Sequence, residues 1–300
     1  MGPLALTDRH HCVLSCQKPL RQTLRLDGAE ILRCPECGLV YRSPYLSTEA
    51  MRQVYASGKD LGKQFPVFEG YLEASEDPTR DTPTRRAFLR SLERLEKTPF
   101  LPERTLMDLG CGRGLFLKLA KDRGWTAQGV DFGKENVAFA RQTYGLDVEE
   151  ADIFRKDWKK RYGAVTLWDL LEHVPEPLEL LRVVRHLLEE GGVVLAALPR
   201  ENNVYSWIAK GVYHASSGKS RRLLELLYPS EHLTYYSADS AERLFAAAGL
   251  RVEKIETQMS DLGRMTLPLP MRAGMTFLNG AGSVVGGQTR LLVYARKNRS

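Results

Sequence analysis

Carboxylates at strand ends, a run of alternating glycines and two pairs of cysteines are the residues whose types and spacing suit chemistry. In Thr105-Leu106-Met107-Asp108-Leu109-Gly110-Cys111-Gly112-Arg113-Gly114-Leu115-Phe116-Leu117, an apolar run reaches an acid, breaks at alternating glycines, and resumes with helical apolar spacing. That order predicts a strand, a tight turn and a helix. Glycines at 110, 112 and 114 allow backbone conformations closed to other residues and let a ligand lie directly against the main chain. Thr126-Ala127-Gln128-Gly129-Val130-Asp131 reads as the next strand, and Asp131 follows Asp108 by 23 residues. A nucleotide site in an α/β sheet places an acid there to accept hydrogen bonds from ribose hydroxyls. The dinucleotide fingerprint wants its third glycine three places after the second, where Leu115 stands. The turn therefore argues against NAD or FAD.

Cys12 and Cys16, then Cys34 and Cys37, precede this turn, and Cys111 is the fifth cysteine. Two pairs bracketing a short segment fit a tetrahedral structural Zn2+ better than disulfides in a chain without export features. Cys34-Pro35-Glu36-Cys37-Gly38 has the C-x-x-C-G knuckle form, in which glycine lets backbone amides turn towards thiolate. The first pair is C-x3-C, one residue wider than usual, with His10 and His11 beside it as substitutes. Four protein ligands leave no open position for water, so the metal's role is structural. The competing reading is a set of buried thiols in a small strand-rich cap. Cys111, lacking a base beside it in sequence, reads as a small turn residue rather than a nucleophile.

The motifs continue through Asp152 in Glu150-Ala151-Asp152-Ile153 and through Trp168-Asp169-Leu170-Leu171-Glu172-His173-Val174-Pro175. On these residues and the acid followed by G-x-G-x-G, the chain resembles the class I S-adenosylmethionine-dependent methyltransferases. The resemblance implies that Gly110 and Gly112 pack against the cofactor, that Asp131 holds its ribose, and that Asp152 meets the adenine amino group. Expected cofactor-binding residues are thus Asp108, Gly110, Cys111, Gly112, Gly114, Asp131, Phe132, Asp152, Ile153, Asp169 and Leu170. The cysteine pairs with Gly38-Leu39-Val40-Tyr41-Arg42-Ser43-Pro44 look like the zinc-ribbon preface of one branch of that family. Charge agrees independently, because a sulfonium cation without phosphate calls for carboxylates and aromatic faces rather than clustered arginines.

These residues need elements to position them. From Glu103 to Pro199 strand and helix alternate, which predicts parallel strands covered by helices on both faces, with ligands beyond their carboxyl ends. The expected fold is α/β, a Rossmann-like doubly wound sheet with a zinc-ribbon-like cap over residues 1–45 and a helical linker or lid over 46–98. The methyltransferase domain is expected over 99–300, with a helix over 177–190 and insertions at 200–236 and 257–289. Resemblance implies seven strands, the last antiparallel at the sheet's end. Residues 58–80, with Phe65, Phe68 and Tyr71, read as linker or lid. Met259, Met265, Met271 and Met275 read as packing.

Methyl transfer from a sulfonium is an in-line displacement, so alignment and exclusion of water supply much of the acceleration. His173 is the candidate base or orienting group, with His232 and Tyr235 as alternatives; packing is the competing reading for each. The acceptor expected is a small molecule, with oxygen favoured over carbon or nitrogen as the acceptor atom. An RNA methyltransferase and a non-catalytic S-adenosylmethionine-binding protein are the alternatives. Lys and Arg outnumber Asp and Glu by 43 to 37, but the excess is spread thinly and reads as solvated surface, so nucleic acid is not the favoured partner. No apolar run approaches membrane-spanning length and the start has no signal-peptide pattern, so a cytoplasmic location without a membrane partner is the default expectation.

Overall fold

The computed structural model describes residues 5–56, 77–99, 101–262 and 269–298. The aromatics Phe65, Phe68 and Tyr71 of the expected lid, Met265, and the Met271 side chain lie outside the described residues.

The chain opens with strands β1 (Leu6–Thr7), β2 (Arg21–Leu26), β3 (Ala29–Arg33), β4 (Val40–Ser43) and β5 (Tyr45–Leu46). Helices α1 (Thr48–Ala56) and α2 (Pro83–Glu96) follow, α1 capped by Ser47 and α2 by Thr82, whose hydroxyls accept from Ala50 N and Arg85 N. Then strand and helix alternate: β6 (Thr105–Leu109), α3 (Leu115–Asp122), β7 (Thr126–Asp131), α4 (Lys134–Tyr144) and β8 (Asp147–Glu150). After β9 (Tyr162–Trp168) come α5 (Pro177–Leu187) and β10 (Leu188–Pro199). The expected 200–236 insertion holds α6 (Val204–Ala215), α7 (Arg222–Leu227) and β11 (Thr234–Tyr235). The chain finishes with α8 (Ala238–Ala247), β12 (Leu250–Gln258), α9 (Leu269–Val284) and β13 (Arg290–Lys297).

Seven strands form one sheet in the order β12-β13-β10-β9-β6-β7-β8. The strands from β8 to β10 pair in parallel, while β13 is antiparallel to both β10 and β12. The final strand is thus antiparallel as expected, but it is inserted one strand in from the edge rather than at the sheet's end. Every residue of β9 is buried, as a strand covered on both faces requires. One apolar layer includes Leu180, Leu181, Val184 and Phe245; the other includes Phe88, Leu92, Phe116 and Leu117. Expected helix 177–190 ends earlier, because Leu188 already pairs with Tyr162 and the register then shifts before Val193.

The cap is not self-contained. Its four-stranded sheet runs β11-β4-β3-β2, so one edge strand comes from the far end of the insertion. Thr234 pairs with Tyr41 and Tyr235 with Val40. Leu39 and Tyr41 belong to the same buried cluster as Leu109 and Leu167, so cap and seven-stranded sheet share one apolar interior. A boundary at residue 45 is crossed by both the sheet and the core.

Candidate active site

The turn after β6 is built from its neighbours' carbonyls. Gly110 N and Cys111 N donate to Val130 O at 2.8 and 3.1 Å, and Gly114 N donates to Cys111 O at 2.9 Å. Gly110, Gly112 and Gly114 have φ of 69°, 53° and 79°, the left-handed region where a side chain is strained. Space is tight too: a Cβ on Gly114 would lie 2.6 Å from Leu146 Cδ1, and one on Gly110 would press on Leu170 Cδ1 at 3.0 Å. Leu170 therefore covers the turn.

Asp131, at the end of β7, locks this turn to the next one. Its Oδ2 accepts from Gly112 N at 2.8 Å and its Oδ1 from Gly133 N at 2.7 Å. Burial raises its pKa against these bonds, which favour the charged form. The Asn136 side chain bonds to Asp131 as well, which leaves the carboxylate a remaining lone pair with which to accept from a hydroxyl. Asp108 is buried within β6, and Thr166 Oγ1 donates to its Oδ1 at 2.6 Å. Burial, opposed by that hydrogen bond and reinforced by the Asp131 charge, pushes Asp108 up to about 7. Cys111 is buried with its thiol pushed up by burial, and a Cβ on Gly129 would meet its Sγ at 2.8 Å. It fills the space behind the turn.

Asp152 begins a loop in which Phe154 N donates to its Oδ1 at 3.0 Å, with Ile153 buried beside it. Phe132 is half-buried next to Asp131. Arg113, the cation in the glycine turn, stacks over Phe139 at 4.7 Å. Asp169, just past β9, has a φ of 52° and forms an ion pair with Arg290, the buried first residue of β13. Sequence reading missed Arg290; its signal is a charge opening the apolar run Leu291–Ala295. A residue held at positive φ by a buried partner fits strain at a functional site.

The same sheet edge carries two histidines. His173 closes a short 3-10 turn, and its Nδ1 lies 2.8 Å from Glu231 O. A carbonyl only accepts, so Nδ1 carries the proton and Nε2 is the basic atom. His232 packs edge-on against that ring at 4.7 Å between centroids. Burial holds both imidazoles neutral, lowering His173 to about 4 and His232 to about 3. Glu172 is buried beside them, and the ligand atoms of Glu172, His173 and His232 lie within 4.8 Å of one another. Tyr235 packs on His232 at 5.9 Å but belongs to strand β11 and the cap.

In the cap, the sulfurs of Cys12, Cys16, Cys34 and Cys37 all lie within 4.8 Å of one another, and none forms a disulfide. A tetrahedral zinc with Zn–S bonds of about 2.3 Å needs sulfur separations of about 3.8 Å, and Cys12 and Cys37 are 3.4 Å apart. Gly38 N donates to Cys34 O at 3.0 Å and Ser15 N to Cys12 O at 3.0 Å, one turn per pair. The wider first pair is accommodated by Ser15 at φ 52°. His10 and His11 are exposed and outside the sulfur group. Crowding splits the thiols' acidities: hydrogen bonding from Cys37 lowers Cys12 to about 4, and burial raises Cys16 to about 12.

The methyltransferase-domain family profile matches residues 80–255, more than half of the chain and all of the glycine turn, Asp131, Asp152 and His173. The chain belongs to the class I S-adenosylmethionine-dependent methyltransferases. A similar relative is the ubiquinone biosynthesis O-methyltransferase of Pseudomonas entomophila (strain L48), 29% identical over 109 residues, or 34% of this chain and 47% of that protein. This methyltransferase thus spans about half the length of the first curated relatives it matches. Two solved structures share its fold. Magnesium protoporphyrin IX methyltransferase from Synechocystis PCC 6803, with bound SAH, gives a TM-score of 0.55 at 13% identity, covering 85% of this chain and 100% of that one. Burkholderia thailandensis 1,6-didemethyltoxoflavin-N1-methyltransferase, with bound 1,6-didemethyltoxoflavin and S-adenosylhomocysteine, gives 0.54 at 13% identity, covering 93% and 99%.

Proposed function

We propose that this methyltransferase moves a methyl group from S-adenosylmethionine to an oxygen of a small-molecule acceptor. The observation that carries the reading is convergence on one sheet edge. The glycine turn tied by Asp131 lies at one part of it, and the Asp169, His173 and His232 group at another. The donor set fits the cofactor, since Asp108, Asp131 and Asp152 supply carboxylates while Arg113 is held against Phe139. When bound, that cofactor supplies an electrophilic methyl on a cationic sulfur. Gly110, Gly112 and Asp131 are assigned to holding it, with Cys111 and Gly114 shaping the turn, and Phe132, Asp152 and Ile153 beside its base. Asp169 and Leu170 close the site against the acceptor side.

The acceptor's proton is assigned to bulk water, and the orientation of its hydroxyl to His173. Its Nε2 can accept a hydrogen bond from a hydroxyl and so align an oxygen lone pair for in-line attack. A pKa near 4 makes it an orienting acceptor rather than a store for the proton. The similarity to ubiquinone biosynthesis O-methyltransferases supports oxygen as the acceptor atom. The four cysteines are assigned a structural Zn2+. Calorimetric titration with S-adenosylhomocysteine, together with mass-spectrometric detection of methyl transfer to a panel of catechols, tests the reading. Adenosyl binding with transfer that falls at least tenfold in His173→Gln supports it; no adenosyl binding, or N-methylation alone across an amine panel, overturns it.

A further inference from the structure

The insertion and the segment before the last strand present an apolar surface. On α6, Trp207, Ile208 and Val212 are exposed, and on α7 Leu226 is 71% exposed. On α9, Leu269, Phe277 and Val284 stand 76% or more exposed. Their spacings of 8 and 7 residues, close to two helical turns each, put them in one stripe.

The other side of α9 is already partnered. Tyr205 Oη donates to Met275 O at 3.2 Å and to Asn279 Oδ1 at 2.5 Å, and a Cβ on Gly282 would lie 2.9 Å from Val204 Cγ1. α9 therefore meets α6 through Asn279, Gly282 and the Met275 carbonyl and turns Leu269, Phe277 and Val284 outward, whereas on α6 Val204 is buried and Trp207 packs partly on Gly287. On α9 this inverts ordinary amphipathic packing, so the outward stripe is suited to an apolar phase.

Charge identifies the phase. Residues 204–227 and 269–285 carry five basic side chains, Lys210, Lys219, Arg221, Arg222 and Arg272, against the single acid Glu225. Lys210 and Arg221 are committed to Glu201 and Asp27, while Lys219, Arg222 and Arg272 are exposed. An apolar stripe flanked by cations is the pattern of a helix lying in the interface of an anionic bilayer. No described helix is long and apolar enough to cross one. We infer that α6, α7 and α9 form a peripheral docking face for the surface of an anionic phospholipid membrane. Since α6 starts directly beyond the carboxyl end of β10, docking would bring the acceptor edge of the sheet to the bilayer. The absence of a membrane partner expected from sequence therefore needs narrowing to the absence of a spanning segment.

The experiment is vesicle flotation of the full chain with phosphatidylcholine alone and with about one third phosphatidylglycerol. Expected is capture by the anionic vesicles, weakening with salt. Phe277→Asp and Leu226→Asp should each reduce it at least tenfold while leaving melting temperature and S-adenosylhomocysteine affinity unchanged. Lys219→Glu with Arg222→Glu should cost about fivefold per residue, the equivalent of about 1 kcal/mol each near an anionic surface. Equal capture by both vesicle types, or none by either, overturns the inference. So does a dimer in sedimentation velocity that Phe277→Asp dissociates without vesicle capture, because a second copy then covers the face. None of these readouts depends on the acceptor.

Discussion

Replacing Asp131 by alanine separates ligand binding from turn structure in one variant. Its two oxygens take hydrogen bonds from Gly112 N and Gly133 N at 2.8 and 2.7 Å, so the substitution strands two amides at once. At about 1–2 kcal/mol for each buried donor left unmade, stability falls by about 2–4 kcal/mol. Unfolding entropy of about 2.1 cal/mol/K per residue over this length gives about 0.6 kcal/mol/K, so the melting temperature drops by about 3–6 °C. Loss of charge-assisted bonds to the ribose hydroxyls should weaken S-adenosylhomocysteine by a further factor of about ten to one hundred. Asp131→Asn keeps one carbonyl acceptor, so it should recover roughly half of the stability while affinity stays low. Calorimetric titration and thermal melts of the same preparations read both quantities. A melting temperature that falls as calculated, with adenosyl affinity within twofold of the parent, would refute the assignment and leave Asp131 as a brace for the glycine turn.

Other outcomes follow from the same geometry. Metal analysis of the purified chain should give about one zinc, lost in Cys34→Ser; a folded, metal-free parent prepared without chelator contradicts the sulfur site. Gly114→Ala meets both a φ of 79° and a Cβ contact of 2.6 Å to Leu146, and should cost about 2–4 kcal/mol in denaturant melts. With Asp108 at about 7, binding of a cation must displace a proton at lower pH. S-adenosylmethionine affinity should therefore rise between pH 6 and 8, by up to about tenfold, and level off above. Calorimetry in two pH series should show a smaller rise for the uncharged thioether, and Asp108→Asn should flatten the profile. Arg290→Met leaves Asp169 without its buried counter-ion at a positive φ, which should lower stability by about 2–3 kcal/mol in urea titrations.

The candidate cofactor residues could be picked out in the sequence because their signals are local. Gly110 to Gly114 sit within one turn, and Asp108 and Asp131 each fall at the end of a strand legible in the chain, while Asp152 follows the short acidic strand Asp147–Glu150. The proposed acceptor side depends on residues far apart. His173 meets His232 through a loop that the insertion returns to the sheet, and Arg290 reaches Asp169 only because β13 enters between β10 and β12. Neither pairing leaves a periodicity to read. The pairing of the cap with the insertion was illegible for a related reason: β11 has two residues, too few for any alternating pattern, yet it closes the cap's sheet. The outward stripe of α9 was hidden in a stretch whose glycines and methionines resemble ordinary loop and packing residues.

That two-residue strand also sets a schedule for biogenesis. The N-terminal cysteines leave the ribosome first, but Val40 must wait for Tyr235 before its sheet is complete. At about 5–20 residues per second, the roughly two hundred intervening positions take about 10–40 seconds to synthesise. Through that interval the nascent thiols stand beside an unfinished edge, and an ion captured early would serve as a holdfast until the polypeptide's distant half arrives.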